Sequence, residues 1–189
     1  MTTVSEEDSL ASLVSRAQAG DREAMERLVA QLRPGVFRYV LARVLDPHLA
    51  DDVTQEVTVT MVQSLHRYVD QGRPVTAWAF GIAANKVSES RRSAYRRREA
   101  PAETLPDQAH DVAVEPEHAV LRLETAARMR DLLDTLPEQQ AEIVRLRVAA
   151  GLSAEETAAV LGMTPGAVRV AQHRALARLR QLATPEQAS

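Results

Sequence analysis

The stretch LGMTPGAVRVAQHRALARLR, residues 161–180, places a glycine, a threonine-proline pair and four arginines within twenty residues. Gly162 suits the left-handed residue that ends a helix, Thr164 suits an N-cap, and Pro165 suits the first helical position after it. Two helices separated by so short a turn are predicted to form a helix-turn-helix.

The two helices before this turn carry their own boundary signals. Ser153 and Glu156 have the spacing of a capping box, in which each side chain bonds the backbone amide of the other residue. The helix before that one is predicted to hold Pro137 in its first turn, to end at Gly151, and to bury Ile143, Val144, Leu146 and Val148.

The helix after the turn is predicted to have two distinct faces, because successive residues rotate by about 100°. Its core stripe is Val168, Ala171, Ala175, Leu179 and Leu182. The other side holds the candidate DNA-contacting residues Thr164, Gly166, Ala167, Arg169, Val170, His173, Arg174 and Arg178. Small residues followed by arginines favour insertion into a major groove, where guanidinium groups bind guanine or phosphate. A basic, solvated face of a helical bundle is the alternative.

Composition favours helices along the whole chain. Hydrophobic residues make up 45% of the sequence but aromatic residues only 3%, and the absence of cysteine excludes disulfides and thiolate chemistry. No apolar run approaches the roughly 18 residues that span a bilayer, and the acidic start lacks the apolar part of a secretion signal. We therefore predict an all-α fold and expect a cytoplasmic protein.

The net charge of −3 conceals a strong alternation along the chain. Residues 73–98 carry seven bases and one acid, residues 99–118 carry six acids and no Lys or Arg, and residues 164–189 carry four bases and one acid. The acids and three prolines predict a flexible acidic linker over residues 99–118. This linker is predicted to join two small helical domains, residues 1–98 and 119–189, each with a cationic zone for a polyanion.

The segment DPHLADDVTQEVTVTMVQSLHRY, residues 46–68, has apolar residues on two sides of one predicted helix. The predicted core stripe comprises Val53, Val57, Thr60, Met61, Ser64 and Tyr68. The other side carries Gln55, Val59 and Val62, with Asp51, Asp52 and Thr58 beside them. Valines framed by carboxylates favour a protein interface over a free surface. Burial of both sides within the domain is the alternative.

The segment GRPVTAWAFGIAANKVSESRRSAYRRR, residues 72–98, predicts a helix that starts at Pro74. Its inward face is predicted to be Val75, Trp78, Ala79, Ile82 and Ala83. The candidate DNA contacts are Asn85, Lys86, Arg91, Arg92 and Arg96. An amide can bind base edges while cations follow the phosphates of an unpaired strand.

Three motifs, in this order, resemble those of the extracytoplasmic-function (group IV) sigma factors of the sigma-70 family. HLADDVTQEV resembles the part of sigma region 2 that docks on the clamp helices of the RNA polymerase beta-prime subunit. PVTAWAFGIAANKVSESRR resembles the part that captures the melted −10 element. LPEQQAEIVRLRVAAGLSAEETAAVLGMTPGAVR resembles sigma region 4, whose helix-turn-helix binds the −35 element and contacts the beta flap.

The resemblance implies a role for each group of candidate residues. Core polymerase would be bound by the acidic and apolar residues Asp51, Asp52, Gln55, Glu56, Val59 and Val62. The group around Asn85 would bind −10 DNA, and the group around Arg169 would bind −35 DNA. The partners implied are core RNA polymerase, promoter DNA and an anti-sigma factor, with no membrane.

We do not expect an enzyme, a cofactor or a metal site, because the five histidines are scattered and no phosphate loop or nucleophile motif is present. The alternative function is a stand-alone helix-turn-helix repressor or activator that dimerises on a palindrome.

Overall fold

The computed structural model describes residues 9–99 and 128–183, apart from the side chains of residues 94–99 and 183. Within these ranges every regular element is helical, which confirms the all-α prediction. The elements are α1 (Leu10–Gln18), α2 (Arg22–Val44), α3 (Pro47–Ser64), α4 (Val75–Glu99), α5 (Glu138–Val144), α6 (Ala154–Leu161) and α7 (Pro165–Ala183), and residues 128–134 are also helical. Glu99 ends α4, and the rest of the predicted linker, residues 100–118, lies outside the described residues.

Helices α1 to α4 pack around one core and form the first domain. Side-chain N-caps fix the starts of the first three helices: Ser9 accepts a bond from the Ser12 amide, Asp21 from Ala24, and Asp46 from His48 and Leu49. Each such cap stabilises its helix by about 1 kcal/mol. The centre of the core holds the fully buried rings of Tyr39 and Phe80, which meet edge to face with their centroids 5.5 Å apart.

The predicted core stripe of α3 needs a correction at two polar positions. Val53, Val57 and Met61 are buried as predicted, but Thr60 and Ser64 are only half-buried. Their hydroxyls donate to the carbonyl oxygens of Glu56 and Thr60, one turn back in the same helix. The same bond from Thr54 to the Ala50 carbonyl lets that residue be fully buried, so the position on the helix, and not the local bond, decides which hydroxyls the core encloses.

The helix-turn-helix forms as predicted in the second domain. Ser153 and Glu156 make both bonds of the capping box, and Gly162 ends α6 with a φ of 66°. The Thr164 hydroxyl accepts a bond from the Ala167 amide at 3.2 Å, and Pro165 is the first residue of α7. Val168 and Ala175 are fully buried, so α7 presents its predicted stripe to the rest of the domain.

Three details of this domain differ from the prediction. Pro137 lies one residue before the first helical residue of α5, at the N-cap. Val148 is 58% exposed, because α5 continues as a π-helical turn over Arg145–Ala149, where the wider winding shifts side chains off the 100° register. Leu182 is 50% exposed, because it lies in the last turn of α7, beyond Leu179, which still packs on the core.

The two domains pack directly against each other. Leu146, Ala150 and Leu152 of the second domain belong to the same buried cluster as the core of α1 to α4. The Arg38 guanidinium donates to the carbonyl oxygens of Ala149 and Ala150 at 2.9 and 3.0 Å. The carbonyl groups at the end of the π-helical turn therefore accept hydrogen bonds from a side chain of α2, and these bonds hold the two domains together.

A buried polar cluster completes this interface. The Tyr39 hydroxyl donates to the Glu142 carboxylate at 2.6 Å, and the same carboxylate lies 3.5 Å from Arg43 and 3.4 Å from Arg145. Burial, followed by the neighbouring Glu142 carboxylate, raises the pKa of Tyr39 well above its ordinary value, so the hydroxyl keeps its proton and donates the hydrogen bond to Glu142. One acid is thus shared by two arginines, and the Nε atoms of both arginines are buried without a hydrogen-bond partner among the described residues.

Candidate nucleic-acid and protein interfaces

The outer face of α7 is built from small and cationic residues. Gly166, Ala167 and Val170 leave the first turns free of bulk, and His173, Arg174 and Arg178 follow them, all exposed. Thr164, at the N-cap, is exposed as well. Since the opposite side is fixed to the domain core through Val168 and Ala175, this face is held outward as one rigid surface. Small residues followed by cations are the chemistry that a helix needs to enter a major groove.

Arg169 on this face has a partner that the sequence pattern did not indicate. Its Nη2 atom lies 2.5 Å from an oxygen of Glu155, at the start of α6, and both side chains are largely exposed. The acid is the second helical residue of α6, where the helix dipole favours a negative charge. The only feature of the sequence that pointed to this ion pair was an acid in the first turn of α6. An acid at that position does not by itself indicate that its side chain reaches α7.

A second exposed polar face lies on α4. Asn85, Arg91 and Arg92 are exposed, and the Arg92 Nε atom donates to the Ser88 carbonyl at 3.3 Å. Arg96 is in the same helix, but its side chain lies outside the described part of the structure. The inward side buries Val75, Ala79, Phe80, Ala83 and Val87, so the predicted orientation of α4 is correct. Trp78 and Ile82, predicted to face inward, are only partly buried, and the Trp78 ring packs on that of Tyr68.

Lys86 belongs to the cationic segment of residues 73–98, but its ammonium group is paired with acids. Its ammonium lies 3.3 Å from Glu56 of α3 and 3.4 Å from Glu89 of α4, and its side chain is half-buried. Hydrogen bonds to these two carboxylates raise its pKa, and the two acids offset its positive charge. Lys86 therefore connects the candidate DNA face of α4 to the candidate protein face of α3.

The outer side of α3 forms a mixed apolar and acidic surface. Val59 and Val62 are 43% and 44% exposed and lie one turn apart on the outer side of the helix, so they form an apolar pair rather than a single exposed residue. Asp51, Asp52, Gln55 and Glu56 are also exposed and surround them. Asp51 accepts a bond from Arg33 of α2 at 2.9 Å, and Glu56 contacts Lys86. Both valines are thus on the surface, and burial on two sides is excluded for this helix.

Within residues 9–99 and 128–183, no three metal-ligating side chains come together, and no helix is long and apolar enough to cross a membrane.

Comparison with known proteins gives this arrangement a family. The family model for Sigma-70 region 2 matches residues 28–97, and that for Sigma-70 region 4 matches residues 126–179. The ECF RNA polymerase sigma factor SigD of Mycobacterium tuberculosis is 48% identical over 177 residues, covering 92% of this chain and 83% of SigD. ShbA of Streptomyces griseus, also an ECF sigma factor, is 44% identical over 182 residues, covering 92% of this chain and 95% of ShbA.

Solved structures agree with the sequence comparison. The structure of CnrH, in complex with the cytosolic domain of CnrY, matches with a TM-score of 0.64 and 29% identity, covering 90% of this chain and 94% of that one. The fold is therefore that of two helical domains, the second of which contains a helix-turn-helix. The chain belongs to the ECF sigma factors of the sigma-70 family, which join RNA polymerase to start transcription at promoters.

Proposed function

We propose that three separate faces of this sigma factor divide the work of promoter-specific initiation. The beta-prime clamp helices of core polymerase are bound by the α3 face, which comprises Asp51, Asp52, Gln55, Glu56, Val59 and Val62. The α4 face, Asn85, Lys86, Arg91, Arg92 and Arg96, holds the melted −10 strand. The −35 duplex is bound by the α7 face, which comprises Thr164, Gly166, Ala167, Arg169, Val170, His173, Arg174 and Arg178. The second domain also contacts the beta flap.

One observation carries this proposal most strongly. Val59 and Val62 form an exposed apolar pair on a helix whose other side is fully packed, and the Lys86–Glu56 contact fixes this pair beside the cationic helix α4. A stand-alone repressor needs one DNA-binding face and a dimer contact, whereas this chain offers two cationic faces and an acidic-apolar one. The family membership does not favour the stand-alone regulator either.

The finer statements of the proposal follow from the same surfaces. The protein acts in the cytoplasm beside polymerase and performs no catalytic chemistry, with no cofactor or metal. CnrH is in complex with a cytosolic protein domain, and we propose by likeness that this chain also binds a regulatory protein, an anti-sigma factor.

Replacing Arg174 with alanine is expected to weaken promoter binding by about 1 to 3 kcal/mol, the range for an arginine that contacts a base edge. The residue is exposed on the outer face of α7, so the fold is unaffected. Binding of reconstituted holoenzyme to promoter DNA measures the loss, and Arg130→Ala, an exposed arginine outside the helix-turn-helix, is the matched control. An equal loss of binding to core polymerase would refute the assignment of this face to DNA.

Replacing Asn85 with alanine is expected to reduce promoter opening about tenfold, because one amide contact to a base contributes on the order of 1 to 3 kcal/mol. Permanganate reactivity of unpaired thymines measures opening directly. The control is a promoter with a substituted −10 element, on which wild type and variant should be equally poor. If the variant discriminates between the two promoters as well as wild type does, Asn85 does not bind the element.

A further inference from the structure

The two acids that begin α6 have different roles. The Glu156 carboxylate accepts a bond from the Ser153 amide at 2.7 Å and also contacts the Thr76 hydroxyl of the first domain at 3.3 Å. Glu155 makes neither contact, and its carboxylate instead lies 2.5 Å from Arg169 on the candidate DNA face of α7. The capping box therefore holds α6 in place while Glu155 is left to contact α7.

The pair occupies only part of the Arg169 guanidinium. Nη2 contacts Glu155, whereas a guanidinium has five N–H donors in a planar fork. The remaining donors suffice for the two-bond contact with O6 and N7 of guanine. The bond from Nη2 to Glu155 also restricts the rotation of the long, exposed Arg169 side chain. Less conformational entropy is therefore lost when the guanidinium binds guanine.

The same carboxylate opposes contact with phosphate. An arginine that is paired with an acid is electrically neutral as a unit, so it releases no counterion from non-specific DNA. For Arg169 to bind a phosphate alone, it must leave Glu155, which then stands unpaired near the negative backbone. Binding to a base edge in the groove carries no such penalty, because the pair stays intact.

We propose that Glu155 is a positioning residue that makes Arg169 specific: it holds the guanidinium toward a base edge and prevents it from binding phosphate. The exposed pair contributes little to stability in the free protein. Its effect develops at the DNA surface, where water is displaced and the interaction of the two charges strengthens. This proposal rests on the assignment of the α7 face to the −35 duplex.

The test uses full-length protein assembled with core polymerase and promoter fragments carrying every base substitution across the −35 element. Glu155→Gln keeps the size of the side chain and removes its charge. We expect base discrimination to fall about fivefold or more at one position, the lower end of a guanine contact. We also expect binding to unrelated DNA to rise about two- to fivefold, and the slope of log affinity against log salt to become steeper by about 0.9.

Two further variants separate the possible results. Arg169→Ala should lose discrimination at the same base pair, and the double variant should behave as Arg169→Ala alone. Asp131→Asn, an exposed acid outside the helix-turn-helix, should change none of these quantities. If Arg169→Ala loses discrimination but Glu155→Gln matches wild type in both discrimination and salt slope, this inference is wrong. If Arg169→Ala discriminates as wild type does at every position, the assignment of Arg169 to the −35 duplex fails instead.

Discussion

The double variant Gln55→Ala, Val59→Asp is expected to abolish binding to core RNA polymerase while the protein stays folded. Val59 is 43% exposed and contributes little to the core, so an aspartate there remains hydrated in the free protein. In a protein interface the same carboxylate would be buried without a partner, one turn from Glu56, which is also acidic. Such a group costs about 3 kcal/mol or more, which corresponds to at least about a hundredfold loss of affinity.

The measurement is the equilibrium affinity of purified protein for core polymerase, with circular dichroism as the check on folding. Val69→Asp is the matched control, because Val69 is 66% exposed but lies in the loop after α3. The control should bind as wild type does. If the double variant binds normally, the outer side of α3 is not the polymerase interface and the proposed division of faces fails.

Replacing Glu142 with alanine is expected to lower the free energy of unfolding by about 3 to 5 kcal/mol, the cost of leaving a buried charge without its partner. The Glu142 side chain is 13% exposed and lies against Arg43 and Arg145, whose side chains are almost equally buried. The Tyr39 hydroxyl also loses the acceptor that it holds at 2.6 Å. Two guanidinium groups and a phenol would then face each other with no acid between them.

This loss is concentrated at the contact between the domains, so we also expect them to separate more readily. Promoter elements at −35 and −10 are about 25 base pairs apart, or about 85 Å at about 3.4 Å per base pair. If α4 and α7 bind these two elements as proposed, two small domains in direct contact would not reach both at once, and we expect this interface to open in the initiation complex.

Urea unfolding and the solution radius of gyration together test the role of Glu142. The variant should be less stable and more extended, whereas Asp134→Ala, an exposed acid in the preceding helical segment, should be neither. Unchanged stability and radius would show that the cluster around Glu142 does not hold the domains together.

The sequence predicted those parts of the fold that depend on neighbouring residues. The turn between α6 and α7 follows from Gly162, Thr164 and Pro165, each of which acts within one helical turn. The outer faces of α3 and α7 follow from helical periodicity, because a helix that packs on one side exposes the other. Val148 and Leu182 show the limits of that argument: a π-helical turn changes the period, and a helix end can extend past its neighbour.

Contacts between distant residues could not be predicted in this way. Tyr39 and Glu142 are 103 positions apart, and nothing local distinguishes Glu142 from the exposed acid Glu138 in the same helix. Lys86 belongs to a cationic run by sequence, yet Glu56, thirty positions earlier, balances its charge. Side-chain pairing across helices depends on the packed arrangement, whereas charge counting along the chain treats every residue as solvated.

The most direct test of the central claim, that this chain is a promoter-specificity subunit, is transcription from a genomic library. Purified protein is added to core RNA polymerase with fragmented DNA of its own host, and the 5′ ends of the transcripts are sequenced. We predict discrete start sites that share two upstream motifs, one near −10 and one near −35, and that disappear with the Gln55→Ala, Val59→Asp variant. Absence of specific starts, together with no binding to core polymerase, would contradict the claim and leave a stand-alone helix-turn-helix regulator.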